Sequence, residues 1–173
     1  HGQEVYGVGY WATAVVTGDV DGDGDLDLVA ASAWSGNISV LLGQGNGYFS
    51  WGVPYAVGYR PGSLAIGDLD GDGDLDLAVG NTESNNISVL LNNGDGTFLE
   101  HVTYATGDGP RSVGIGDLNG DGKLDLALAN ELGSNVSVLL GSGDGTFLSD
   151  VTYGAGSGPH SVAIGDLNAD GNL

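Results

Sequence analysis

Cysteine and methionine are absent from these 173 residues, and lysine and arginine nearly so. The lack of cysteine removes disulfide frameworks and thiolate metal sites. Only Arg60, Arg111 and Lys123 carry fixed positive charge, against 23 Asp and Glu, for a formal net charge of −20. Phosphate backbones and anionic membrane surfaces are held by clustered Lys and Arg, so neither nucleic acid nor a membrane is expected as a partner. No apolar run approaches the length of a membrane-spanning helix, and no stretch combines a helical period with helix caps. Acidic chains poor in apolar residues stay disordered, but here 40% of residues are hydrophobic and they alternate in short runs, so a fold is expected. The chain begins at His1 without Met or a signal peptide, which fits a processed product and equally a part of something longer.

What the sequence has is repetition. The run GDVDGDGDLDLVA at 18–30 returns as GDLDGDGDLDLAV at 67–79 and GDLNGDGKLDLAL at 116–128, and GDLNADGNL at 165–173 begins a fourth copy. The period is 49 residues, counted from Asp19 to Asp68, Asp117 and Asp166. Tyr6, Tyr55, Tyr104 and Tyr153 keep it, as do Phe49, Phe98 and Phe147, and Pro61, Pro110 and Pro159. These tyrosines and phenylalanines read as core. Units are expected at 1–49, 50–98 and 99–147, with a partial unit at 148–173.

Each unit reads as four short strands parted by Gly, Asn and Asp turns. In the third unit they fall near 112–117, 124–130, 136–140 and 98–105. Leu124, Leu126 and Leu128 alternate with Asp125, Ala127 and Ala129, the period of a strand. The fold class is therefore all-β, a tandem array of four-stranded propeller-like blades. Rings close with roughly 4–8 blades, and this chain supplies about three and a half, so the ring is incomplete.

The acidic loops follow Asp-x-Asp/Asn-Gly-Asp-Gly-x-x-Asp. Oxygens at loop positions 1, 3, 5 and 9, with a main-chain carbonyl at 7, suit a hard cation of calcium size. Glycine at positions 4 and 6 lets the backbone curl. Loop one offers Asp19, Asp21, Asp23 and Asp27 with the Asp25 carbonyl. Loop two offers Asp68, Asp70, Asp72 and Asp76 with that of Asp74. Loop three offers Asp117, Asn119, Asp121 and Asp125 with that of Lys123. Loop four offers Asp166, Asn168 and Asp170 with that of Asn172, and has no position 9. Fifteen of the 23 acidic residues lie in these loops, a crowding that a bound cation would offset. Magnesium prefers fewer carboxylates and zinc prefers His or Cys. An EF-hand needs Glu at position 12 and flanking helices. Position 12 here is Ala30, Val79 or Leu128.

In GDLDGDGDLDLAVGN, NISVLLNNGDGTF and VTYATGDGPRSV the chain resembles the FG-GAP or VCBS-type repeats of integrin alpha-subunit propellers and of secreted bacterial proteins. The resemblance implies Ca²⁺ in hairpin loops within each blade, an extracellular setting, and adhesion or scaffolding in place of catalysis.

Three further features stand apart. Asn37, Asn86 and Asn135 open Asn-x-Ser sequons, which read as possible glycan acceptors or as turn residues before a strand. Trp11, Trp34 and Trp51 are not repeated; Arg60 and Glu83 replace the first two in the next unit. They are candidates for stacking on a sugar or a partner, or for capping the core. His1, His101 and His160 lack metal spacing and read as surface residues, and no nucleophile–base pair is visible. The function expected is a calcium-stabilised extracellular structural or adhesion module. It would self-associate through its incomplete terminal blade, as a head-to-tail filament or a ring, or join further repeats of a longer chain. The alternative is a carbohydrate-binding module of a larger secreted protein, and the expected ligands are a glycan or an extracellular protein.

Overall fold

The computed structural model describes residues 4–171 and 173. Twelve strands form three antiparallel sheets, each in sequential order. The first blade is β1 (Ala12–Gly18), β2 (Asp27–Ser32), β3 (Asn37–Leu41) and β4 (Val53–Ala56). The second is β5 (Pro61–Gly67), β6 (Asp76–Asn81), β7 (Asn86–Leu90) and β8 (Val102–Ala105). The third is β9 (Pro110–Gly116), β10 (Asp125–Asn130), β11 (Asn135–Leu139) and β12 (Val151–Gly154).

The sheets are out of phase with the units drawn from the sequence. Residues 98–105, read there with the third unit, supply β8, which pairs with β7 of the blade before (Val89 opposite Val102, Ile87 opposite Tyr104). A blade thus starts near loop residue −7 and takes its outer strand from after the next turn. By the same shift β12 completes the third blade. Residues 159–165, which correspond to β5 and β9, form no strand among the described residues. They nevertheless lie along β9: Val162 N donates to Ser112 Oγ at 3.2 Å, and Ile164 sits over Gly114 and Gly116. Inner strands β1, β5 and β9 run side by side, so the blades fan from a common axis.

Blades adhere through apolar faces. Val29, Ala31, Ile38 and Val40 of the first pack on Leu64, Leu77, Val79 and Leu90 of the second. Ile87 and Val89 of the second pack with Leu126, Leu128 and Leu139 of the third. Alternation puts one set of each blade on each face. The middle strands are buried on both faces, and each fully buried Leu or Ile contributes about 1.5–3 kcal/mol. An aromatic clasp spans each junction. The outer-strand tyrosine meets the next blade's phenylalanine edge to face: Tyr6 with Phe49 at 5.8 Å, Tyr55 with Phe98 at 5.6 Å, Tyr104 with Phe147 at 5.5 Å. Tyr153 has no such partner among the described residues and is 58% exposed, unlike the core role its repeat position suggests.

Candidate metal centres

Each of the first three acidic loops joins the inner strand to the second strand, as β1 to β2. It is a strand–loop–strand arrangement, not the helix-flanked loop of an EF-hand. Glycines at positions 4 and 6 take positive φ: 72° and 92° at Gly22 and Gly24, 81° and 99° at Gly71 and Gly73. In loop four Ala169 takes the first of these places at 60°, where a Cβ is strained.

The carboxylate at position 9 is fully buried and pinned by main-chain donors. Val20 N donates to Asp27 Oδ2 and Gly43 N to Oδ1, both at 2.7 Å. Leu69 N and Asn92 N hold Asp76 at 2.8 Å each. Leu118 N and Gly141 N hold Asp125 at 2.9 and 2.8 Å. Two charge-assisted hydrogen bonds offset much of the cost of burying each charge. They also tie the ion loop to the loop joining the third and fourth strands.

Positions 1 and 3 complete a cluster. One oxygen from each of Asp19, Asp21 and Asp27 lies within 4.8 Å of the others, and so with Asp68, Asp70 and Asp76. Asp19 Oδ1 is buried with no hydrogen-bond partner among the described residues. Burial pushes the Asp21 and Asp70 carboxyls up, and neighbouring carboxylates push the same way. Burial also raises Asp76 to about 6, with Asp70 and Asp72 adding to it and the two main-chain donors opposing it. An orphaned oxygen and crowded, desolvated carboxylates fit a hard dication. Asp23 and Asp72, at position 5, stand outside these sets. Their side chains accept the N–H of Asp25 at 2.8 Å and of Asp74 at 2.9 Å. The side chains of Asp25, Asp74 and Lys123 lie toward Gly45, Gly94 and Gly143 of the neighbouring loop, which leaves only their carbonyls as candidate ligands.

Loops three and four differ. Asn119 Nδ2 turns to Asp121 Oδ2 at 3.3 Å, and Asn168 Nδ2 to Asp170 Oδ2 at 2.9 Å. Gly122 N donates to Asp117 Oδ2, as Gly24 N and Gly73 N do to Asp19 and Asp68 in the first two loops, and in loop three that bond leads a lowering of the Asp117 pKa. Gly171 N does the same for Asp166. Asn172 and His1 lie outside the described residues.

The next blade braces the first two loops. Asn92 Nδ2 donates to the Val20 carbonyl at 2.7 Å, and Gly145 N to that of Leu69 at 3.2 Å.

The sequons have a structural use. Asn81 Nδ2 donates to Asn86 Oδ1 at 2.8 Å and Asn130 Nδ2 to Asn135 Oδ1 at 2.7 Å. Ser32 stands where Asn81 and Asn130 do, and Asn37 Oδ1 is buried without a partner among the described residues. A serine–histidine pair, not visible in the sequence, also emerges. Ser88 Oγ lies 2.7 Å from His101 Nδ1. Ser88 is fully buried, so no substrate reaches it. The corresponding Ser137 meets Asp150 instead, at 2.9 Å, so the position serves packing.

The model of the FG-GAP-like repeat matches three times, at 19–79, 68–128 and 117–173. A lectin of Agrocybe aegerita, solved for its recognition of non-reducing terminal N-acetylglucosamine, is similar at 26% identity and a TM-score of 0.54, over 78% of this chain and 36% of that one. A chain in the crystal structure of BBS1N in complex with ARL6DN is similar in fold at 16% identity and a TM-score of 0.63, over 95% of this chain and 50% of that one. The chain thus spans a third to a half of these solved chains. No curated protein sequence matches it.

Proposed function

Because the chain belongs to the FG-GAP-like repeat family, we propose that it is a calcium-stabilised, non-enzymatic scaffold that works outside the cell. The observation that carries this is the buried position-9 carboxylate, pinned by two N–H groups and facing two further carboxylates. Asp19, Asp21 and Asp27, then Asp68, Asp70 and Asp76, would hold the ion, with Asp117, Asn119 and Asp125 in loop three. Bound there, calcium would supply positive charge that offsets the repulsion among these carboxylates at the hinge between first and second strands, on which the next blade rests. The positive φ glycines, the pinned carboxylate and the brace from Asn92 prepare that loop without it.

Binding calorimetry and paired melts test the reading. Asp70→Ala should lower Tm in calcium. In chelator it should raise Tm slightly, because it removes a desolvated charge from a repulsive cluster. A fall of equal size in both conditions would assign Asp70 to structure alone.

A second reading, carbohydrate binding, gains from the similarity to a lectin and from Trp11 and Trp34, which lie 70% and 77% exposed. Self-association through the incomplete terminal blade would use the two ends of the array. Residues 4–8 take the place of an outer strand, since Tyr6 clasps Phe49, and residues 159–165 take that of an inner strand. Two copies would meet there end to end, and further repeats of a longer chain would serve equally.

A further inference from the structure

A cleft of about 570 Å³ opens at the end of the blades away from the ion loops. One inner strand, about 20 Å of extended chain, separates the two. Its walls include Trp11, Thr13, Arg60, Arg111, Glu131 and His160. Two of the three basic side chains in a chain of net charge −20 therefore meet here.

The period of 49 shows how unusual this end is. Trp11 and Arg60 share a repeat position with Gly109 and Gly158, and Thr13 and Gly62 share one with Arg111 and His160. At the first of these positions the backbone is left-handed in every unit, with φ of 62°, 56°, 69° and 62°. Glycine adopts it freely, and a bulky side chain does not. Trp11 and Arg60 are thus held in a strained conformation that the fold asks only glycine to fill, and strain of this kind gathers at functional sites. Neither is buried: Trp11 is 70% exposed and the Arg60 side chain 60%.

The polar groups are set in pairs. Arg111 Nη1 donates to Glu131 Oε2 at 3.0 Å, His160 Nε2 lies 3.7 Å from Glu131 Oε1, and Arg60 Nη1 donates to Glu83 Oε1 at 2.9 Å. An anion would meet Glu131 and Glu83. An apolar ligand would desolvate ion pairs without return. A sugar hydroxyl both donates and accepts, so it can use guanidinium and carboxylate together, while an indole face takes the apolar side of a pyranose. The volume is that of a small-ligand site.

We propose that this cleft binds a saccharide, stacked on Trp11 and hydrogen-bonded by Arg60, Arg111 and Glu131. The proposal deepens the carbohydrate-binding reading and rests on it. The test uses the calcium-loaded chain on an array of neutral, N-acetylated and uronic-acid oligosaccharides, followed by calorimetry with those that bind. Trp11→Gly and Arg111→Ala should each weaken binding about tenfold or more. Trp11→Gly should leave Tm level or slightly raised, because glycine suits the backbone there. No saccharide binding, with calcium-dependent melting intact, would overturn the cleft assignment and leave the scaffold standing. Binding unchanged by both variants would overturn it too, by placing the sugar elsewhere. A Tm loss in Trp11→Gly as large as that of a core substitution would make the indole a structural prop.

Discussion

At the ion end of the blades, a residue is matched by its counterpart 49 positions on. Asp27, Asp76 and Asp125 accept the same pair of main-chain hydrogen bonds. At the opposite end the same period delivers Trp11, Arg60 and Gly109 to one place, and Trp34, Glu83 and Leu132 to its neighbour. Both ends share one scaffold and one backbone path. The first end repeats because each blade needs its hinge closed. The second is free to vary because only a short turn must be made there, and two of its residues are held in a backbone conformation that suits them poorly. Repetition marks what the fold requires, and its failure marks where a blade does something for itself.

Four measurements break or sharpen that contrast. Calcium removal should have the largest effect. Three sites at a hundredfold excess over Kd contribute about 8 kcal/mol together, so chelation should lower Tm by on the order of 15 °C or more by calorimetry. An unchanged melt would dissolve the distinction between the ends. Next comes Asp76→Asn, which puts an amide donor against a main-chain donor. It should cost about 3 kcal/mol in denaturant titrations with calcium, and less in chelator, where no ion is lost and a buried charge is removed.

The third is pH. The folded Asp76 carboxyl sits at about 6, above its ordinary 3.8. Folding therefore favours the protonated acid. Stability of the calcium-free chain should rise as pH falls from about 7 through 6, with the gain complete near the unfolded value. Calcium's own contribution should shrink over the same window, since protons and the ion compete. Melts at pH 7.5 and 5, with and without calcium, check both signs. The smallest effect belongs to Arg60→Gly at the variable end. It removes an exposed ion pair and a left-handed strain, so Tm should move by no more than about 2 °C.

Much of this was legible in the sequence. Alternating Leu124, Leu126 and Leu128 announced a strand, and the spacing of Asp19, Asp21 and Asp27 announced a shared point. The phase of the blades was not legible, because a period fixes the length of a unit and not where it is cut. Val102–Ala105 follows the loop of its own blade, and only its pairing with β7 reveals the ownership. The pinning of Asp76 was hidden as well. One of its donors, Asn92, lies 16 residues away in another turn. The cleft joins residues far apart in the chain, such as Trp11, Arg60 and Arg111, 49 and 51 positions from one to the next, which meet only when inner strands gather about an axis.

The aromatic clasp between blades has a consequence for counting. Each blade brings a tyrosine for the blade after it and a phenylalanine for the blade before. An array of n units then holds its junctions in series, and each added unit contributes one junction and one ion loop in equal measure. Stability should climb in near-even steps as units are appended genetically, and cooperativity should reach only as far as neighbouring junctions can enforce it. A damaged clasp in the middle of such a row would let the chain melt in two pieces, where a damaged clasp at the edge would cost a single step.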